Sequence, residues 1–67
     1  MGERIRYLRR RRALTLVELA AATGIRRYQT LSAIEIGRTQ PRLSTLRKIA
    51  AALGVEPAAL LPEEPDR

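Results

Sequence analysis

Leu46, Ile49, Ala50 and Leu53 stand at i, i+3, i+4 and i+7, an apolar stripe that an α-helix gathers on one side. Similar spacing returns along almost the whole chain, and no segment alternates apolar and polar residues as a half-buried strand does. The pattern predicts an all-α fold. At 67 residues the chain makes one small domain, and a domain of this size buries only about 60% of its unfolded surface. It contains no cysteine and no histidine. Disulfides, thiolate or imidazole metal sites and catalytic triads are therefore excluded, and helix packing alone must hold the fold.

Punctuation divides the pattern into five helices. The first runs from about Glu3 to Arg12, with Ile5 and Leu8 inward. Thr15 and Glu18 form a Thr-x-x-Glu capping box, opening a second helix over about Leu16–Thr23 that buries Leu19 and Ala20. Gly24 ends it, since glycine accepts the left-handed conformation of a helix stop. A third helix is expected over about Arg27–Ile36, a fourth over Leu43–Leu53, and a short fifth over Pro57–Leu61, with proline suited to its first turn. Gly37 to Arg42 reads as a loop. Residues 1–61 thus form one domain, and the acidic tail Pro62–Arg67 has nothing to bury and is expected to fray.

The net charge is +6, from twelve arginines and one lysine against seven acids. Without the tail, twelve bases against four acids leave +8 on residues 1–61. Such a balance implies a polyanionic partner, nucleic acid or an acidic membrane surface. The membrane reading fails, because the bases are spread around well-capped helices and the runs Leu19–Ala22 and Ile49–Leu53 are far too short to span a bilayer. The first residues carry no apolar signal region, and Arg6 stands where a myristoylation signal needs Ser or Thr. A cytoplasmic protein is expected.

Two short helices joined by a tight glycine turn, across Leu16–Ile36, make the skeleton of a helix-turn-helix. Ala20 is small where the second helix must approach the third. Ile25 plugs the angle between them, and Leu31 and Ile34 anchor the third helix from beneath. The outer face of that helix is then free for a DNA major groove, which is wide enough to admit one helix.

In this order and spacing, several short motifs resemble the lambda-repressor-like helix-turn-helix family of bacterial and phage regulators, often called the XRE family. They are Arg4-Ile5-Arg6-Tyr7-Leu8-Arg9, Leu14-Thr15-x-x-Glu18-Leu19-Ala20, Thr23-Gly24-Ile25, Ile34-Glu35-x-Gly37-Arg38-x-x-Pro41 and Leu46-x-x-Ile49-Ala50-x-Ala52-Leu53-Gly54-Val55. The resemblance covers roughly residues 3–61. It implies a compact five-helix domain that binds double-stranded DNA, reads bases with its third helix and usually works as a dimer. It also implies a structural ion pair between Arg9 and Glu35, on positions that commonly pair across the first and third helices. A catalytic role for Glu35 is disfavoured, since no His, Cys or second paired acid stands by to complete a mechanism. No enzyme activity, cofactor or metal is expected.

Two departures from the family pattern affect the site. Between Gly24 and Glu35 the chain has one residue more than usual. Without an insertion Thr30 and Ala33 would face inward; with one, Leu31 and Ile34 do. Burial favours the second register by about 1–3 kcal/mol for each large aliphatic. Tyr28, Gln29, Thr30, Ser32 and Ala33 then turn to the groove, with Arg26 and Arg27 at the lip of the turn. Gln29 suits bidentate bonding to adenine. Tyr28 and Thr30 suit a phosphate or a thymine methyl, and Arg27 a guanine or a phosphate; the bland alternative is a solvated polar face. The second departure is aliphatic: Leu16 and Val17 replace polar residues at the start of the second helix, and Ile36 replaces one before Gly37. The Leu16 backbone can still offer a phosphate its donor. The three side chains suggest either a contact with a protein partner or scattered surface apolar residues.

The run Arg9–Arg12 cannot form one patch, because consecutive helical residues point in different directions. Some of Arg6, Arg10 and Arg12 can line a DNA backbone, but Arg38, Thr39 and Arg42, in the loop after the third helix, are better placed. If about four arginines each neutralise a phosphate, log affinity falls against log salt with a slope of about −3.6. The leading functional expectation is a transcriptional regulator, a repressor, dimerising through Val55–Leu61. The alternatives are an antitoxin with the same DNA-binding domain and an adaptor that has lost DNA binding.

Overall fold

Apolar periodicity becomes four helices and one tight turn in the computed structural model, which describes residues 1–61. Helix α1 spans Gly2–Arg11, α2 Leu16–Thr23, α3 Tyr28–Glu35 and α4 Leu43–Leu53, followed by a 3-10 turn at Pro57–Leu60. No strand occurs among the described residues. The expected tail, 62–67, lies outside them.

The expected fifth helix is corrected to this single 3-10 turn of four residues. Its bonds run from Ala59 N–H to Glu56 O and from Leu61 N–H to Ala58 O, at 2.9 and 3.3 Å. The reason is local. Leu61 is extended at φ −80°, ψ 145°, the conformation that the following Pro62 imposes on its neighbour. One turn suffices to bury Leu60 completely under α1 and α4.

The stripes meet in one core of Ile5, Leu19, Ala20, Leu31, Ile34, Leu46, Ile49, Ala50, Leu53 and Leu60. Each of its large aliphatics stabilises the fold by roughly 1.5–3 kcal/mol before entropy is counted. Helix α4 is the common support, packing on α1, α2 and the 3-10 turn, while α3 lies against α1 and α2. Leu31 and Ile34 are both buried, as the register with one extra residue requires. That residue is absorbed in the turn, since α3 starts only at Tyr28 and Arg27 stands before it in extended conformation.

Candidate nucleic-acid interface

The α2–α3 corner is built from its backbone outward. At α2's start, Thr15 N–H donates to Glu18 Oε1 at 2.8 Å, and Glu18 N–H donates to Thr15 Oγ1 at 3.0 Å. The box leaves the Leu16 and Val17 amides as the orphan donors there, with the Glu18 carboxylate already beside them. At α2's end Gly24 adopts φ +77°, which returns the Ile25 N–H to Ala20 O at 3.0 Å. Ile25 then packs partly buried against the core.

Thr23, from the Thr23-Gly24-Ile25 motif, has a role that its spacing does not reveal. It is buried, and its hydroxyl donates to Leu19 O and Ala20 O at 3.0 and 3.1 Å. A buried hydroxyl without partners would be costly; here the preceding helical turn supplies them. The signal was its place just before Gly24, where a side chain folds back on its own helix.

Helix α3 has two sides. Leu31, Ile34 and Glu35 are buried, Tyr28, Gln29 and Thr30 are exposed, and Ser32 and Ala33 are half-buried. Glu35 is the only charged residue within α3, so the outward side is polar and neutral. Charge flanks it in sequence: Arg26 and Arg27 are exposed before the helix, and Arg38 and Arg42 after it, with the polar, exposed Thr39 between them. Helix α3 has no side-chain cap and no acid in its first turn, so nothing there opposes an approaching anion.

Glu35 ties the interface to α1. Arg9 Nε donates to Glu35 Oε2 at 2.7 Å and its Nη2 to Oε1 at 3.1 Å, a two-point fork. Arg6 Nε reaches Oε1 at 3.4 Å. The hydrogen bond to Glu35 holds the Arg9 guanidinium above its ordinary pKa against the opposing effect of burial, and the attraction of the same carboxylate adds to it. Arg9 Nη1 also donates to Leu14 O at 2.8 Å.

The remaining arginines of α1 and its end divide further. Arg6 turns to Glu35, and Arg12 lies so close over Gly54 that a β-carbon there would meet its guanidinium. Both thus have a neighbour within the protein, whereas Arg10 is exposed and pairs with no acid among the described residues. Arg4 Nε donates to Ala59 O at 3.1 Å, and Arg11 Nη1 donates to the Tyr7 hydroxyl at 3.3 Å. Among the described residues, Arg10, Arg26, Arg27, Arg38 and Arg42 enter no ion pair.

The aliphatic departures also separate. Leu16 is half-buried against the core rather than solvated, whereas Val17 and Ile36 are exposed by more than half. Among the described residues there is no cluster of acids able to hold a metal ion, and no helix is long and apolar enough to cross a membrane.

A capped helix, a glycine corner and a second helix with a polar outer side define a helix-turn-helix protein. The chain belongs to the HTH_3 helix-turn-helix family, the XRE type of transcription regulator, whose family model matches residues 5–60. It is 42% identical over 64 residues to the immunity repressor protein of Bacillus phage phi105, covering 96% of this chain and 44% of that one. It is 43% identical over 53 residues to the HTH-type transcriptional regulator DdrOP3 of Deinococcus deserti, covering 79% of this chain and 40% of the relative. A third relative, the HTH-type transcriptional regulator y4dJ of Sinorhizobium fredii, is 39% identical over 61 residues, covering 91% and 78%. The chain spans less than half the length of the first two. No solved structure matches it significantly.

Proposed function

We propose that the chain is the DNA-reading domain of a transcriptional repressor, with α3 lying in the major groove of double-stranded DNA. The observation that carries this reading is the outward side of α3, where Tyr28, Gln29 and Thr30 stand exposed between two pairs of arginines. Neutral donors and acceptors discriminate bases, while flanking cations fix the register on phosphates. Gln29 bonds adenine, Arg27 a guanine or the adjoining phosphate, and Tyr28 and Thr30 a phosphate or thymine methyl. Ser32 and Ala33 allow close approach. Arg26, Arg38, Thr39, Arg42 and the Leu16 amide hold the backbone. The repressor named among the relatives supports the direction of regulation.

One eight-residue helix reads only a few base pairs, so a symmetric pair on half-sites about one helical turn apart is the working form. The pairing surface is Val55–Leu61, where Leu61 is 48% exposed. The protein works in the cytoplasm and catalyses no reaction. The antitoxin alternative would draw on the exposed Val17 and Ile36 and on the acidic tail, since Leu16 packs inward. Selection of bound sequences from a random duplex pool, at stated salt, tests the reading. Enrichment of paired half-sites is the expected result, and no enrichment above non-specific binding overturns it in favour of an adaptor.

A further inference from the structure

We infer that Arg9 is a positioning residue for DNA reading: one guanidinium closes the helix-turn-helix at both of its chain ends. The inference rests on the proposed function. Residue 14 precedes the cap of α2 and residue 35 ends α3, so the two mark the borders of the reading unit. Both are bonded to Arg9. Its Nε and Nη2 hold the Glu35 carboxylate at 2.7 and 3.1 Å, and its Nη1 holds the Leu14 carbonyl at 2.8 Å. The Leu14 N–H in turn donates to the Arg9 carbonyl at 3.1 Å. Leu14 is therefore gripped through both its amide and its carbonyl by the same residue of α1.

The grip adds a side-chain tie to a corner that the backbone also closes, from Ala13 N–H to Arg10 O at 2.9 Å. The corner between α1 and α2 passes through Ala13 at φ +56°, a left-handed conformation that costs a residue with a β-carbon free energy. The planar fork of Arg9 offers donors in rigid directions and ties this corner to the end of α3. Its side chain is only 11% exposed, so it acts on DNA through α2 and α3 rather than by touching it. Glu35 is not left without a countercharge when Arg9 is altered, because Arg6 also reaches it.

Arg9→Lys separates positioning from charge. Lysine keeps the charge, yet its single ammonium cannot reproduce a planar fork onto two partners. The expected result is a folded protein whose preference for its selected operator over random duplex falls about tenfold or more, as for one misaligned base contact. Non-specific affinity and the slope of log affinity against log salt stay as in the parent. Retained preference overturns the inference. So does a weaker slope, which would make Arg9 a phosphate contact worth about 0.9 in that slope. If circular dichroism finds Arg9→Lys unfolded, a synthetic chain with citrulline at position 9 decides. Citrulline keeps one edge of donors for Glu35 but replaces a donor nitrogen with oxygen. Lost operator preference in the folded citrulline chain supports the inference; retained preference, or failure of that chain to fold as well, overturns it as a claim about reading. A parent protein that itself prefers no sequence would instead remove the proposed function, before any variant is compared.

Discussion

Gly2 lies directly against Glu35: a β-carbon built on Gly2 would run into the backbone carbonyl oxygens of Glu35 and Ile34. The first turn of α1 is thus seated on the last turn of α3, and the obstacle is backbone, which cannot swing aside as a side chain does. Gly2→Ala must push α1 away or displace the end of α3. We expect a loss of about 1–3 kcal/mol, the usual cost of overfilling a packed site. Chemical denaturation of the two proteins measures it, and equal midpoints with equal slopes would contradict the contact.

The carboxylate in the same turn of α3 carries the second prediction. Glu35→Gln leaves the Arg9 guanidinium largely buried without its counter-ion, while one amide oxygen can still accept a hydrogen bond. The expected loss is about 3 kcal/mol, at the low end for breaking a buried pair. The pH dependence follows from Arg9, whose folded-state pKa is raised by its hydrogen bond to Glu35. A group raised on folding contributes its full stabilisation below its unfolded pKa and loses it only as pH rises through the higher folded value. For a guanidinium that window lies beyond ordinary alkaline conditions. The stability difference between parent and Glu35→Gln should accordingly stay constant from about pH 7 to about pH 9. A difference that shrinks on that alkaline climb would contradict the assignment.

These two contacts mark the boundary of what the sequence discloses. Periodic burial was legible: the stripe from Leu46 to Leu53 and the choice of Leu31 and Ile34 over Thr30 and Ala33 each follow from apolar spacing, because a large aliphatic gains free energy in only one register. The capping box was legible because Thr15 and Glu18 satisfy one another within four residues. Gly2 was not, since its partner carbonyls lie more than thirty positions away and spacing along one helix carries no trace of a second. The contacts of Arg6 with Glu35 and of Arg12 with Gly54 are hidden for the same reason. A sequence gives the charge of a side chain, whereas the neighbour it turns to is a matter of tertiary packing. The fifth helix failed on a local cue that was available, Pro62, whose effect on Leu61 stops the turn before a helix can form.

Ala13 offers a test in the stabilising direction. It holds φ +56°, the only non-glycine positive φ among the described residues, and its N–H donates to Arg10 O at 2.9 Å as α1 closes. Glycine adopts that conformation without the steric penalty, although it loses more entropy on folding. The balance favours Ala13→Gly by about 0.5–1 kcal/mol. A raised thermal midpoint is the expected reading, and a lowered one would place residue 13 outside the left-handed region.

Gln29 tests base readout. Its side chain is exposed in the first turns of α3 and has no partner in the fold among the described residues, so Gln29→Ala should leave thermal stability within about 0.5 kcal/mol. Binding to the selected operator should weaken by about 1–3 kcal/mol, and repeated selection with the variant should relax preference at one position of each half-site. Unchanged selectivity would make Gln29 a solvated surface residue.

Salt dependence separates arginines that the sequence presents alike. Arg12 rests against Gly54, the cap that ends α4, where a cation complements the helix dipole. Arg38 is exposed in the segment after α3 and enters no ion pair among the described residues. With about four phosphates neutralised, the parent should lose affinity with a slope of about −3.6 in log salt. Arg38→Ala should reduce the magnitude of that slope by about 0.9 and weaken operator and random duplex alike, since a phosphate contact reads no sequence. Arg12→Ala should leave the slope as it is and lower stability by a fraction of about 1 kcal/mol instead. The measurement is a titration of labelled duplex at several salt concentrations for all three proteins. A slope changed by Arg12→Ala and untouched by Arg38→Ala would invert the assignment and move the DNA backbone from the loop after α3 to the corner after α1.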